Sequence, residues 1–340
     1  MKPNESSRSI GQFSCYPVGL GCMNLSHGYV PVDDKSAIEL LNKALDMGYQ
    51  MLDTAALYGY GSNERLIAKA VGHRRDEYLL ASKCGIYRDS NRERIICSDP
   101  NTIRRICEES LSRLNTDAID LYYLHRWDKT TPIEESIEAL AQLKKEGKIL
   151  EIGLSEVSAS TLSRAHQVHP IAAVQSEYSL WTRNPEIALL DKCEELGVAL
   201  ITFSPLGRGM LTGQITPKTI FSEHDIRRNM PRFLSNNLVH NSQLIEELEQ
   251  LVAPYMEHYN VAPLTLATVV LAWLLTRSEN IHVIPGTTNL HHLKENFICP
   301  EIIISDHLYH QMDALINQHT VKGERYNSLA QQDIDTEEFN

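Results

Sequence analysis

Four ionisable side chains stand where they could together protonate a carbonyl oxygen. Asp53, Lys83 and His125 each close a short apolar run, and Tyr58 follows Asp53 by five residues. A tyrosine hydroxyl has a reference pKa of ~10, which is high for a proton donor at neutral pH. A neighbouring ammonium such as Lys83 would stabilise the tyrosinate and lower that pKa.

The other two groups complete a reaction of this kind. Asp53 would keep Lys83 charged and oriented, and His125 would hydrogen-bond the substrate oxygen and share the proton with Tyr58. The reaction needs no nucleophilic side chain, but it needs a hydride, which a cofactor must supply. The residue types therefore indicate the reduction of an aldehyde or ketone.

The elements that must position these groups alternate along the sequence between stretches with helical spacing of apolar residues and short apolar runs typical of buried strands. Stretches such as Ile133, Ile137 and Leu140 have helical spacing. Three helical stretches end in a glycine, at Gly48, Gly147 and Gly197, and a strand follows at once, which is typical of βα units. The predicted strands are Val18–Gly21, Gln50–Asp53, Tyr78–Lys83, Ala118–His125, Ile149–Ser155, Ala172–Glu177, Val198–Ser204 and Ile281–Pro285.

Eight such units predict an α/β fold, a closed (β/α)8 TIM barrel that forms a single domain over residues 1–340. Its active site is expected at the carboxyl ends of the strands, where the four groups lie. Pro205–His240 is too long for an ordinary connection after the seventh strand, so we expect it to be functional. A C-terminal helix follows, and the polar, acidic residues 320–340 are expected to be a partly mobile tail.

Composition excludes several classes of function. The 340 residues carry 32 Lys and Arg against 44 Asp and Glu, a net charge of -12, which argues against nucleic-acid and membrane partners. The residues at the amino end lack the apolar core of a signal peptide. The seven cysteines include no C-x-x-C pair, so reduced thiols in a cytoplasmic protein are expected. Histidine pairs occur without a third ligand, and no metal is expected.

Three segments resemble the aldo-keto reductase family. Met51–Glu64 (MLDTAALYGYGSNE) is similar to the family signature, and LLASKCG and LYYLHRWD supply its lysine and histidine segments in the same order. The resemblance covers nearly the whole chain, from about residue 9. It implies that Tyr58 is the general acid, that Lys83 and Asp53 tune it, and that His125 orients the carbonyl.

The resemblance also implies a nicotinamide cofactor site. Ser155 and Gln175 would bind the carboxamide, Phe203 would stack on the ring, and Arg208 would add charge at the pyrophosphate. Trp181 and Trp127 would contact the substrate, beside Tyr58 and His125. The complete set of expected cofactor residues is Gly21, Met23, Asp53, Ser155, Gln175, Phe203, Ser204, Pro205, Leu206, Gly207, Arg208, Gly209, Pro285, Gly286, Thr287, Thr288, His292, Glu295 and Asn296.

Departures from the family pattern concern cofactor choice. Most members carry Lys or Arg near the positions of Thr288 or Asn289 and Arg at the position of His292, where cations bind the phosphate that distinguishes NADPH from NADH. Lys294 and either Arg227 or Arg228 are candidate replacements. We expect NADPH, with NADH as the alternative. Two smaller departures are Glu156 where Asn is usual and Phe203 where Tyr is usual.

The segment Gly153–Glu186 and the SPLGRG segment look most like a branch that includes pyridoxal reductases and related bacterial aldo-keto reductases. That resemblance makes pyridoxal, or another small aromatic aldehyde, a candidate substrate. One alternative is a cofactor-binding regulatory protein with little turnover, similar to potassium-channel β-subunits. A barrel metal hydrolase is the second alternative. The oligomeric state is left open by the sequence.

Overall fold

A computed structural model describes residues 6–30, 32–89, 91, 93–257 and 264–339. Its strands, in chain order, are β1 (Arg8–Ile10), β2 (Phe13–Cys15), β3 (Leu20–Gly21), β4 (Met51–Asp53), β5 (Leu79–Cys84), β6 (Ile86–Arg88), β7 (Arg94–Ile96), β8 (Ile119–Leu124), β9 (Ile149–Ser155), β10 (Ala173–Glu177), β11 (Ala199–Phe203) and β12 (Ile281–Val283). Two antiparallel hairpins, β1–β2 and β6–β7, flank a parallel sheet of eight strands.

The parallel sheet is closed into a barrel. Its strands follow one another in the order β3, β4, β5, β8, β9, β10, β11 and β12. The two ends of the sheet meet in a parallel bridge between Val18 and Val283, and the amide of Gly19 donates to the carbonyl of Val283 at 2.9 Å. The (β/α)8 prediction is thus confirmed, and every barrel strand lies within two residues of its predicted bounds.

Helices surround the barrel. They are α1 (Asp34–Met47), α2 (Ser62–Val71), α3 (Pro100–Leu114), α4 (Ile133–Lys145), α5 (Ala159–Val168), α6 (Leu189–Leu196), α7 (Ser235–Glu257), α8 (Leu266–Leu275), α9 (Leu290–Phe297), α10 (Asp306–Leu315) and α11 (Ser328–Gln331). Gly48 and Gly197 end α1 and α6 at φ of 104° and 65°, a left-handed conformation that glycine adopts without steric cost. These two helix ends lie where the sequence predicted them.

Apolar side chains fill two regions. The larger core lies between the strands and the helices, and α8 is buried at all ten of its positions. A smaller cluster fills the barrel interior, where small residues such as Ala81, Ala173 and Ala199 leave room for Met51. Ile10 of the β1–β2 hairpin belongs to this cluster, so the hairpin closes the end of the barrel opposite the carboxyl ends of the strands.

Two long segments cover the open end of the barrel. Residues 204–234 connect β11 to α7 and contain short 3-10 turns; α7 begins at Ser235, so the predicted loop is a few residues shorter than expected. After α10 the chain returns to the barrel, and a bridge joins Val157 to Asp335. The ammonium of Lys129 donates to the carbonyls of Gln332 and Ile334. Mobility of this tail stays a prediction.

No helix in the described ranges is long and apolar enough to cross a membrane.

Candidate active site

The carboxyl ends of β4 and β5 bring Asp53 and Lys83 into a buried ion pair. The two strands are paired in parallel register, and the Lys83 ammonium lies 2.5 Å from a carboxylate oxygen of Asp53 and 2.8 Å from the carbonyl of Thr54. Both side chains are buried. Although burial opposes its charge, Asp53 and Tyr58 raise the pKa of Lys83 above its ordinary value. Lys83 is therefore held as an ammonium.

Tyr58 stands next to this pair. It begins the 3-10 turn Tyr58–Gly61 in the loop after β4, and its hydroxyl accepts a hydrogen bond from the Lys83 ammonium at 3.3 Å. The His125 ring meets the Tyr58 ring edge to face, with 5.8 Å between the ring centres. The structure thus brings together the four residues Asp53, Tyr58, Lys83 and His125, which are called the tetrad below.

The pKa of Tyr58 differs from the sequence-based expectation. Burial raises it above the ordinary value of 10.0, and the lowering effect of Lys83 does not cancel that rise. Lys83 does lower the pKa of Tyr58, as expected, but the expectation left out the cost of burying a phenolate, which is the larger effect. Tyr58 consequently stays protonated, and can donate, throughout the neutral range.

His125 follows β8 and is held as a neutral imidazole. Burial is the largest influence, and Arg126, Lys83 and Arg94 add to it, so the pKa of His125 lies well below its ordinary value of 6.5. Within the described part of the chain, Nδ1 of this buried ring meets no hydrogen-bond partner. A neutral imidazole has one N–H donor, so His125 can donate a hydrogen bond to a carbonyl oxygen while it carries no charge itself.

The loop that carries Tyr58 is fixed by polar residues that sequence reasoning did not assign. Asn63 is buried, accepts from the Thr54 hydroxyl at 2.6 Å and donates to the carbonyl of Cys22 at 2.8 Å. Buried Glu64 accepts from Ser82 and, at 2.5 Å, from Arg113. These contacts tie the start of α2 to the neighbouring strands. The signature segment could have indicated them, since it ends in Asn63–Glu64.

A cavity of about 800 Å³ opens beside the tetrad, a size within the range of small-molecule and cofactor sites. Tyr58, His125 and Asp53 line it, and Lys83 lies behind them. The expected cofactor residues that line it are Gly21, Met23, Asp53, Ser155, Gln175, Phe203, Ser204, Pro205, Leu206, Arg208, Gly209, Pro285, Gly286, Thr287, Thr288, His292, Glu295 and Asn296. Gly207 lies outside the cavity lining.

The backbone of the cavity wall fits a nicotinamide dinucleotide. A side chain on Gly21 would meet the carbonyl oxygen of Ile284 at 2.7 Å, and one on Gly286 would meet the carbonyl oxygen of Gly21 at 2.9 Å. The ends of β3 and β12 are therefore close together, and a flat ring can lie against bare backbone. α9 begins next to cavity-lining Thr287 and Thr288, and helix starts favour phosphate.

Two orienting contacts support the expected carboxamide site. The Gln175 amide donates to the second carboxylate oxygen of Asp53 at 2.8 Å. The Ser155 hydroxyl lies at the end of β9 and accepts from Arg126 at 3.1 Å. Phe203 ends β11 in the same wall, so the three residues expected to hold the nicotinamide lie on the successive strands β9, β10 and β11, with Ser155 and Phe203 at strand ends.

Some expected contacts are placed differently. Arg208 lines the cavity, but its guanidinium pairs with Glu177 at 3.0 Å, which offsets the charge expected at the pyrophosphate. Trp181 is buried beneath the guanidinium of Arg232, and the Trp127 indole donates to the carbonyl of Thr131. Neither indole belongs to the cavity lining, and their contact with substrate stays a prediction.

The structure adds residues to the wall that sequence reasoning missed. Arg94 and Arg126 line the cavity, and so do Tyr326 and Asn327 of the tail. Arg126 directly follows His125 and could have been found from that position. The tail residues carry no local signal, because they reach the site through long-range contacts.

Glu177, at the end of β10, connects the tail to the loop after β11. It accepts from Arg208 and from the Tyr326 hydroxyl, both at 3.0 Å. Burial opposes its charge, yet Arg208 and Arg325 lower the pKa of Glu177 to about 2. Glu177 is therefore a charged, buried anchor for both segments.

No group of three His, Cys, Asp or Glu side chains within the described ranges could hold a metal ion. All seven cysteines are free.

Comparisons with known proteins agree with this arrangement. The model of the Aldo/keto reductase family matches residues 17–317. The chain is 37% identical to the aldo-keto reductase yakc [NADP(+)] of Schizosaccharomyces pombe over 327 residues, which is 94% of each chain. It is 36% identical to the probable aldo-keto reductase 1 of Glycine max, over 92% of this chain and 89% of that one. Among solved structures, the glycerol dehydrogenase AKR11B4 from Gluconobacter oxydans is similar, with a TM-score of 0.83, 25% identity, and coverage of 94% of this chain and 97% of that one.

Proposed function

This chain belongs to the aldo/keto reductase family, and we propose that it reduces an aldehyde or ketone to the alcohol, with NADPH as the hydride donor and Tyr58 as the proton donor. One observation carries the proposal: the Tyr58 hydroxyl lies 3.3 Å from the Lys83 ammonium of a buried ion pair, in the wall of a cavity lined by the expected cofactor residues. The name of the relative from Schizosaccharomyces pombe includes NADP(+), which supports the choice of cofactor.

The chain would hold the cofactor along one side of the cavity. Ser155 and Gln175 would bind the carboxamide, and Phe203 would stack on the ring. Thr288 and His292, at the start of α9, would face the phosphate of the adenosine half. When bound, the reduced nicotinamide supplies a hydride to the carbonyl carbon.

Tyr58 completes the reduction by giving its proton to the developing alkoxide. The O–H bond of the tyrosine breaks, a new O–H bond forms on the product, and a tyrosinate remains. The Lys83 ammonium would stabilise that tyrosinate at 3.3 Å, while Asp53 keeps Lys83 charged. Solvent then returns the proton to Tyr58.

His125 would bind the carbonyl oxygen before the transfer. Because it is neutral, it donates one N–H and does not compete with Tyr58 as an acid. Its edge-to-face contact with Tyr58 places the two donors on the same side of the cavity. Together they would fix the carbonyl oxygen while the carbonyl carbon faces the nicotinamide.

Pyridoxal and other small aromatic aldehydes are the proposed substrates. The sequence resemblance to pyridoxal reductases supports this choice. The apolar side chains of Leu57 and Ile86 in the cavity lining also suit a flat ring.

The direct test follows the loss of reduced-nicotinamide absorbance with NADPH and with NADH. Pyridoxal and 4-nitrobenzaldehyde are the substrates, and a reaction without aldehyde is the control. We expect oxidation that depends on the aldehyde and is faster with NADPH. Tight nucleotide binding without turnover of any aldehyde would refute the proposal and favour the regulatory protein.

A further inference from the structure

The lining of the cavity is richer in cations than the composition of the chain suggests. The chain carries a net charge of -12. Among the described residues, however, the lining contains four guanidiniums and two carboxylates, namely Arg94, Arg126, Arg208, Arg227, Asp53 and Glu295. A basic wall in an acidic protein indicates an anionic ligand. The phosphates of the cofactor account for only part of this positive charge, since Arg94 and Arg126 lie near the tetrad.

Three of the four guanidiniums have a carboxylate partner. Arg208 pairs with Glu177, and Arg227 pairs with Asp225 at 2.6 Å. Arg94 pairs at 2.6 Å with Asp333 of the tail. Both members of that last pair are substantially exposed to solvent, so it is worth little and can be exchanged for another anion.

Arg126 is different. One of its nitrogens donates to the carbonyl of His125 at 2.6 Å and to the Ser155 hydroxyl at 3.1 Å. Within the described ranges, no carboxylate oxygen lies within 4.0 Å of its guanidinium. Asp53, which lines the same cavity, is already paired with Lys83. One uncompensated positive charge therefore remains at the substrate end of the cavity.

The position of this charge relates it to the reacting groups. Arg126 follows His125 in the chain and lines the same cavity as Tyr58. After burial, Arg126 makes the next largest contribution to the low pKa of His125, and it also acts on Tyr58. A substrate whose carbonyl oxygen lies between Tyr58 and His125 would have the rest of its body within reach of this guanidinium.

We propose that the substrate carries an anionic group, a carboxylate or a phosphate, and that Arg126 binds it, with Arg94 as a second contact. Arginine matches the planar oxygens of both groups, and a hydrogen bond between two charged partners is about twice as strong as a neutral one. The inference rests on the proposed reductase function and narrows its substrate class. The proposal also gives Asp333 a role. Its carboxylate would pair with Arg94 in the free enzyme, and a substrate anion would displace this carboxylate.

Matched aldehydes test the proposal. The carboxylate arm compares 4-carboxybenzaldehyde with methyl 4-formylbenzoate and 4-nitrobenzaldehyde, which have similar shapes and no charge. The phosphate arm compares pyridoxal 5′-phosphate with pyridoxal. We expect kcat/KM to be about 10-fold higher for the charged member of at least one arm, and this preference to shrink as salt is added. The arm with the larger preference identifies the anion.

Variants then assign the preference to Arg126. Arg126→Met should lower kcat/KM for the charged aldehyde about 10-fold more than it lowers kcat/KM for the neutral ones. Arg126→Lys should retain part of the preference. Arg104→Met is the matched control, because Arg104 pairs with Glu146 at the surface, outside the cavity lining.

A binding measurement that needs no turnover gives a second readout. Calorimetric titration compares 4-(hydroxymethyl)benzoate with 4-nitrobenzyl alcohol on the native protein and on Arg126→Met. We expect tighter binding of the carboxylate by the native protein only.

Each result has a distinct meaning. Equal kcat/KM for charged and neutral aldehydes in the native enzyme would overturn the anion proposal and leave the reductase intact. An equal loss for both in Arg126→Met would also overturn it, because Arg126 would then only position Ser155 and His125. Failure to reduce any aldehyde would remove the reductase function itself.

Discussion

Arg325→Met should destabilise the protein and loosen the tail, because it strips a buried carboxylate of its partner. Glu156 is fully buried and lies 2.8 Å from the guanidinium of Arg325, which is itself almost completely buried. Glu156 also accepts from the Ser176 hydroxyl at 3.1 Å and from the amide of Glu177 at 2.8 Å. Arg325 is thus the main counterion of a carboxylate at a position where Asn is usual in the family.

The size of the effect follows from these contacts. Removing one partner of a buried ion pair costs about 3–5 kcal/mol. Because Glu156 keeps two neutral hydrogen bonds, we expect Arg325→Met to lower the free energy of unfolding by about 3 kcal/mol, the lower end of that range. Glu156→Gln should cost less, about 1–2 kcal/mol, since Arg325 keeps Glu177 at 3.5 Å as a partner.

A double-mutant cycle in urea measures the pair. The double variant removes both charges of the Glu156–Arg325 pair and leaves neither one without its partner. Its loss of unfolding free energy should therefore be smaller than the sum of the two single losses by about 1.5–3 kcal/mol. Arg104→Met, which breaks an exposed pair, is the control and should cost less than about 1 kcal/mol. Amide exchange in residues 326–338 should rise in Arg325→Met.

Additive losses in the cycle, or a loss below about 1 kcal/mol for Arg325→Met, would refute this reasoning. Such a result would mean that the carboxylate finds water or another partner when Arg325 is removed. The KM for the aldehyde should also change in Arg325→Met, because Tyr326 and Asn327, the two residues after Arg325, line the cavity.

Three further predictions concern pH, cofactor fit and cofactor choice. The pKa of His125 lies well below 6.5 and that of Tyr58 lies above 10.0, so His125 stays neutral and Tyr58 stays protonated between these values. The value of kcat/KM for reduction should therefore be flat from pH 6.5 to 10.0. An inflection inside that range that disappears in His125→Gln would contradict this prediction. Gly21→Ala should weaken NADPH binding about 10-fold in a fluorescence titration, because the added methyl group would meet the backbone of Ile284 and displace this part of the cavity wall. Gly72→Ala, which has no atom within 4 Å of the added methyl group, should bind NADPH normally, and equal affinities in the two variants would contradict a nicotinamide site beside Gly21. His292→Arg should raise the ratio of NADPH to NADH turnover about 10-fold by adding a phosphate ligand, and an unchanged ratio would place the phosphate elsewhere.

Local patterns of the sequence predicted the barrel and the tetrad. Buried strands leave continuous apolar runs, so their positions could be predicted within two residues. The tetrad could be predicted because each of its members ends or follows a strand, and the carboxyl ends of parallel strands meet at one face. The tuning of Tyr58 could not, since its pKa depends on how deeply the whole fold buries it.

Features that depend on long-range contacts escaped prediction. The acidic composition of the tail suggested mobility and gave no sign that Arg325 and Tyr326 are anchored. Arg325 pairs with Glu156 next to β9, and Tyr326 donates to Glu177 at the end of β10. Trp181 was expected in the cavity, but Arg232 lies over its ring and donates to its carbonyl, in a buried region beside the cavity. The missing counterion of Arg126 is likewise a property of the folded wall and has no signature in the sequence.

The central claim is that Tyr58 donates the proton, and Tyr58→Phe tests it most directly. The measurement is kcat for aldehyde reduction alongside the Kd for NADPH, in the variant and in the native enzyme. Removing only the hydroxyl should lower kcat at least about 100-fold, as expected for loss of a general acid, with NADPH affinity unchanged. A kcat within a few fold of the native value would contradict the account, because another group would then supply the proton.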